Sequence, residues 1–139
     1  MEIPYTKGSF KMNKLIKGTH HIAIKCENAA MYEETVRFYR EVLELELFRQ
    51  WAGGTMFSTG DAIIEIFAEG RVSGSTGSVN HFALLTDRVE ECVERVRAAG
   101  YAVTVEPKDV TIASQPPMPV HVAFVIGPAG EEIEFFQVL

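Results

Sequence analysis

A short motif written twice constrains this chain more than any other feature. His21-Ile22-Ala23-Ile24 returns as His81-Phe82-Ala83-Leu84, and Ile64-Glu65-Ile66-Phe67 returns as Ile133-Glu134-Phe135-Phe136. Between each histidine strand and its glutamate strand lie a helical stretch and two short strands, so each half reads β-α-β-β-β. A fixed internal repeat implies equivalent structural modules. The chain of 139 residues is long enough for one domain with its own core. The expectation is therefore a single α+β domain over 1–139, with modules at about 18–69 and 79–139. The segment EGRVSGSTGS over 69–78 is the Gly/Ser-rich joint between them.

Periodicity places the elements. Tyr32, Val36, Tyr39 and Leu43 recur at helical spacing, which predicts a helix over about 29–43. Val89, Cys92, Val93, Val96 and Ala99 predict a second over about 88–99, with Asp87 and Glu90 as a capping box and Gly100 past its end. Strands are expected at 45–51, 55–59, 101–105, 120–126 and 131–139, with Gly127-Pro128-Ala129-Gly130 turning into the last. The Pro-rich stretch Glu106–Pro119 reads as a long loop able to cover a site.

Strand alternation then sorts the polar residues. His21, Ala23 and Lys25 share one face opposite Ile22, Ile24 and Cys26, and His81 and Ala83 lie opposite Phe82 and Leu84. The same parity turns Glu65 away from Ile64 and Ile66, and Glu134 away from Ile133 and Phe135. An ionised carboxylate buried in an apolar run is costly unless paired or metal-bound. Two imidazoles and two carboxylates on the open faces of a duplicated sheet make a mixed N/O donor set. Such a set suits Zn²⁺, Ni²⁺, Co²⁺, Mn²⁺ or Fe²⁺ rather than Ca²⁺ or Cu⁺. The competing reading makes these structural histidines and solvated glutamates. His20 falls on the Ile22 side or before the strand, and His121 alternates with Val122 and Phe124, so both are expected away from the quartet. Trp51 with Gly53-Gly54 reads either as the mouth of a pocket or as edge-strand packing.

Composition excludes other classes. A net charge of −6 argues against a nucleic-acid partner, which needs a basic face. No apolar run is long enough to span a membrane, and the first residues lack the apolar region of a secretory signal. Two cysteines make no disulfide framework, which places the chain in a reducing, cytoplasmic setting. Cys26 and Cys92 each sit on an apolar stripe and read as small buried hydrophobes.

These motifs resemble the vicinal oxygen chelate superfamily, which includes glyoxalase I, methylmalonyl-CoA epimerase, fosfomycin- and bleomycin-resistance proteins and extradiol dioxygenases. The resemblance runs from about Gly18 to Leu139, through His21–Ile24, Val36–Leu43, Ile64-Glu65, His81–Ala83, and Ala123–Val125 on to Ile133-Glu134. It implies paired βαβββ modules forming a cupped mixed sheet around one divalent metal, held by His21, Glu65, His81 and Glu134. The His, Glu, His, Glu order is most similar to glyoxalase I, which implies a lyase/isomerase acting on a small 2-oxoaldehyde–thiol adduct. Glu134 would then be the principal base and Glu65 the second acid/base. An epimerase of an acyl thioester, or a protein that only sequesters a ligand, is the alternative the same family offers. Where glyoxalase I carries an Arg and an Asn for glutathione, this chain has Lys25 and Glu69. Lys25 keeps a positive charge for an anionic substrate group, whereas Glu69 would repel one. The resemblance also implies a homodimer, with the metal site either within one chain or shared between two.

Overall fold

The computed structural model describes residues 19–69 and 81–139. The joint expected over 69–78 therefore lies, apart from Glu69, outside the described residues. The first module runs β1 (His21–Lys25), α1 (Ala29–Arg37), β2 (Glu46–Trp51), β3 (Gly54–Ser58) and β4 (Ile63–Phe67). The second repeats it as β5 (Phe82–Leu85), α2 (Val89–Ala98), β6 (Val103–Ile112), β7 (Met118–Ile126) and β8 (Glu132–Val138). Each module makes a four-stranded mixed sheet, in the orders β1-β4-β3-β2 and β5-β8-β7-β6. In both, the first strand pairs in parallel with the last and the remaining pairs are antiparallel. The duplication read from the sequence is thus a duplication of topology.

Both helices begin and end for local reasons. Asn28 caps α1 by accepting from the Met31 N–H at 2.9 Å. After Arg37 the helix widens into a π turn over Phe38–Val42, in which the Leu43 N–H bonds the Phe38 carbonyl. The expected helix over 29–43 is therefore of two kinds. The widened turn lets two successive aromatics, Phe38 and Tyr39, both reach the interior. The capping box expected at Asp87 does not form: Arg88 is the N-cap residue and makes no side-chain cap. Instead Thr86 Oγ1 accepts from the Arg88 N–H, and the Glu90 carboxylate is drawn off to His121. Gly100 does follow α2, at φ +91°, where a left-handed residue ends a helix.

The largest departure from the sequence reading is the stretch 106–119. It is not a loop: β6 continues to Ile112 and β7 starts at Met118, leaving 113–117 as the connection. Pro107 is tolerated because β6 is an edge strand among the described residues, while Pro116 and Pro117 fall in the connection and Pro119 near the start of β7. The ladder slips between Val105 and Lys108, so Pro107 falls in an irregularity rather than in regular pairing.

One core serves both modules. Ile24, Phe57, Ile64 and Ile66 of the first sheet meet Ala123, Val125, Ile133 and Phe135 of the second, with Val36, Phe38, Tyr39, Val89, Val93 and Val96 from the helices. These strand positions have the parity opposite to Glu65 and Glu134, so the modules join through their helix-side faces. Polar links reinforce the seam. Tyr39 Oη donates to Glu131 Oε2 at 2.8 Å, Tyr101 Oη donates to Glu34 Oε1 at 2.7 Å, and Arg95 Nε donates to the Val42 carbonyl at 2.8 Å. Phe38 packs edge-on against Tyr101, with centroids 5.0 Å apart.

Glu131 also accepts from the Ala129 N–H, which ties down the turn before β8. Its carboxyl lies where a side chain at Gly127 would begin, 2.5 Å from an ideal Cβ, so any larger residue there would have to displace the carboxyl from its bonds to Tyr39 and Ala129. Burial raises the Glu131 carboxyl above its ordinary range and the Tyr39 hydroxyl partly offsets this; burial likewise pushes the Tyr39 phenol well up. Tyr39→Phe should destabilise the protein by about 1–3 kcal/mol. The check is a lower urea midpoint at unchanged slope; an unchanged midpoint would show that the latch contributes nothing.

Candidate functional site

Parallel pairing builds the same small constellation twice. In the first sheet Ala23 is the partner of Glu65, and His21 stands two residues earlier on the same face. In the second, Ala83 is the partner of Glu134, with His81 two residues earlier. The alanine methyl leaves room above the glutamate, and each histidine reaches diagonally across. His21 Nε2 lies 3.6 Å from Glu65 Oε1, and His81 Nε2 lies 3.1 Å from Glu134 Oε1. Both glutamates are nearly buried, at 7% and 8% exposure, on faces that do not carry the core. Burial raises the Glu134 carboxyl above its ordinary range, while the His81 imidazole and its hydrogen bond pull it back.

Neighbouring residues shape each half. His20 Nδ1 sits 3.0 Å from His21 Nδ1, so one ring can hold the other with Nε2 toward Glu65. Sequence reasoning set His20 aside because a residue before a strand has no definite parity. Phe124, the β7 partner of Glu134, packs edge-on against His81 with centroids 5.1 Å apart. Met56 is the β3 partner of Glu65. Lys25 lies on the His21 side of β1 and is exposed, in register with Phe67. Trp51 lies over Gly53 and Gly54, where an added Cβ would come within 3.0 and 2.8 Å of the indole. That is the edge-strand packing role of the two considered for it.

The donor chemistry, two imidazole nitrogens and two carboxylates, fits a borderline divalent ion. The structure brings the four residues together as two pairs and not as one quartet. Among the described residues no group of three or more His, Cys, Asp or Glu side chains is placed to hold a metal. Of the two arrangements left open by the resemblance, a quartet within one chain is not seen among the described residues. The reason is the shared core: the modules meet through their helix sides, and β1 and β5 are not paired.

His121 is outside this arrangement, as its parity predicts. Its Nδ1 lies 2.7 Å from Asp109 Oδ1 on β6 and its Nε2 bonds Glu90 on α2. The Glu90 and Asp109 hydrogen bonds raise the imidazole above its ordinary range. Cys26 is buried with its thiol pushed up by burial, Cys92 is half-buried and likewise raised, and both are unpaired. Neither has the exposure and low pKa of a reactive thiol.

A histidine whose folded pKa is raised contributes its stabilisation below the unfolded value of about 6.5. It loses that contribution as pH climbs through the higher folded value. His121→Gln should therefore lower the urea midpoint most below about pH 6.5, with the gap to the parent closing as pH rises past that value. Because both carboxylates are largely exposed, salt should shrink the gap. A gap that widens with pH would contradict this account.

Residues 18–135 match the profile of the Glyoxalase/Bleomycin resistance protein/Dioxygenase superfamily. No curated protein matches the sequence significantly. Among solved structures, a glyoxalase family protein from Bacillus anthracis is similar with a TM-score of 0.67 and 22% identity, over 92% of this chain and 100% of that one. A glyoxalase/bleomycin resistance protein/dioxygenase from Alicyclobacillus acidocaldarius is similar at 0.66 and 14%, over 88% and 92%. An integron cassette protein from the mobile metagenome of V. cholerae is similar at 0.62 and 20%, over 92% and 98%. At these identities the structures speak for the fold alone.

Proposed function

We propose that this chain, which belongs to the glyoxalase/bleomycin resistance protein/dioxygenase superfamily, is a metal-dependent lyase/isomerase of the glyoxalase I kind. Its reaction would be proton transfer next to a carbonyl, on a small 2-oxoaldehyde–thiol adduct. The observation that carries the reading is the repeated His–Glu pair, two donors on each open sheet face beside an alanine that leaves space. A divalent ion (Zn, Ni, Co, Mn or Fe) would be held by His21, Glu65, His81 and Glu134. When bound, it supplies Lewis acidity toward the substrate oxygens.

The chain's own residues would do the proton work. Glu134 would be the principal base, taking a proton at the carbon beside the carbonyl, with His81 orienting its carboxylate through Oε1. The Glu134 carboxyl would then give that proton to the adjacent carbon, and Glu65, with a matching place in the other module, would be the second acid/base for a substrate of the opposite hand. Lys25, exposed on the His21 face, would meet an anionic group of the substrate.

The working unit in this reading is a homodimer. Since one chain holds two separated pairs, a complete donor set would combine the first module of one chain with the second module of its partner. Among the described residues the first strands, β1 and β5, each have one unpaired edge for such an encounter. No helix among the described residues is long and apolar enough to cross a membrane. The two free thiols are in keeping with a cytoplasmic location. The separation of the pairs also favours a second reading, a protein of this fold that sequesters a ligand without catalysis.

Three measurements decide among these. Elemental analysis of protein purified without chelator should find a transition metal that is lost in His81→Ala. Glu134→Gln should keep part of the metal while turnover falls on the order of 10²–10⁴-fold; full turnover would remove Glu134 from the chemistry. Mixing His21→Ala and His81→Ala proteins should restore metal binding and activity, because one site of the mixed dimer then has all four natural donors. No recovery after subunit exchange would mean the site is not shared, and no metal affinity at all would favour sequestration.

A further inference from the structure

Each sheet has two outer strands among the described residues, β1 and β2 in the first and β5 and β6 in the second. A free edge offers unpaired backbone groups to another strand, and proteins blunt it with lysine, proline or short length. β1 carries Lys25, β5 is four residues long, and β6 carries Pro107 and Lys108. β2 has neither lysine nor proline, its two charges are of opposite sign, and every one of its six residues is exposed. Leu47, Phe48 and Trp51 are 45%, 53% and 43% exposed, so three large apolar side chains stand together on this one edge.

The ladder to β3 slips between Leu47 and Arg49, which leaves Phe48 as an extra residue. In a regular strand, residues three apart point to opposite faces. Here the slip brings Glu46 and Arg49 to the same face. Their β3 partners are Ser58 and Met56, and Met56 is in turn the partner of Glu65 on the open side. Neither Glu46 nor Arg49 has an ion pair among the described residues. The Arg49 guanidinium instead lies 5.5 Å from the Phe48 ring centroid.

Two copies of a strand that meet antiparallel, about a twofold axis normal to the sheet, keep their faces. Opposed residues must then share a face, and the slip lets β2 meet this condition with opposite charges. Glu46 of each copy stands opposite Arg49 of the other, with Leu47 and Phe48 of both copies between the two pairs. Opposite charges and apolar side chains are both favourable across strands, and like charges are not. The neighbouring registers that keep the faces centre on Glu46 or on Arg49, and each sets like charges against one another.

We propose that β2 is a self-association edge, through which two chains join antiparallel over Glu46–Trp51 into one continuous sheet, with two Glu46–Arg49 ion pairs across the axis. The contact is isologous and so closes on itself. It lies at the opposite edge of the first sheet from β1 and does not depend on the shared metal site. Six residues a side make a small interface, so assembly should follow protein concentration in the micromolar range.

Sedimentation velocity on the full chain reads this directly. Concentrating the parent should double its mass, from one chain to two, or from two to four where the β1–β5 encounter also holds. Glu46→Arg and Arg49→Glu each put like charges in both pairs, and each should abolish the doubling. Mixed in equal amounts, the two variants should regain it, because every pair across the axis then joins opposite charges. The double variant Glu46→Arg/Arg49→Glu should regain it alone, which separates lost assembly from lost folding. Trp51 is the chain's sole tryptophan, so its emission should shift as the parent assembles and stay fixed in the single variants. A parent whose mass does not rise, single variants that still double, or a mixture that fails to recover overturns the inference.

Discussion

Parallel pairing between the first and last strand of each module is the contact on which the site depends. It sets Ala23 against Glu65 and Ala83 against Glu134, and so puts each histidine one diagonal step from a carboxylate. A register slip by a single residue would turn both glutamates into the core, where an unpaired carboxylate costs several kcal/mol. The apolar residues on the opposite parity, among them Ile64, Ile66, Ile133 and Phe135, hold that register by being wholly buried. Core packing and site chemistry are thus two faces of the same strands.

The seam between modules has an equally direct consequence. Tyr39, Phe38 and Arg95 join the halves through their helix sides, which leaves the two polar faces on open surfaces. The interior is closed by hydrocarbon from both modules, so a single chain can be stable with its candidate donors still in separate pairs. Stability and assembly of the donor set are therefore separable in this architecture. The first needs one chain, and the second calls for whatever faces the open sheets.

Much of this was legible beforehand because it depends on short periods. The alternation that points Glu65 and Glu134 off the core needs only a spacing of two residues, and the repeat fixes the βαβββ order. The misses came where a longer-range contact overrode a local signal. Prolines at 107, 116, 117 and 119 spelled one long loop, yet Pro107 falls in the irregular part of the β6 ladder, Pro116 and Pro117 in the short connection, and Pro119 near the start of β7. Asp87 and Glu90 spelled a capping box, yet His121, 31 residues from Glu90, takes the carboxylate. Helical spacing put Tyr39 inside and left Phe38 out, yet the π turn buries both. His20 was set aside and Phe124 given no role because their value lies in which ring they touch.

The amino-acid order by itself determined the duplication, the membership of each side chain in an inner or outer face, and the presence of one imidazole and one carboxylate on the outer face of each half. These follow from chain geometry over a few residues, where the number of options is small. Only the tertiary structure decided that the halves join through their helices and that the four donors stand as two pairs in one chain. That choice is made by burial of Phe38, Tyr39, Phe135 and their neighbours across the seam, a sum over distant contacts that no local pattern encodes.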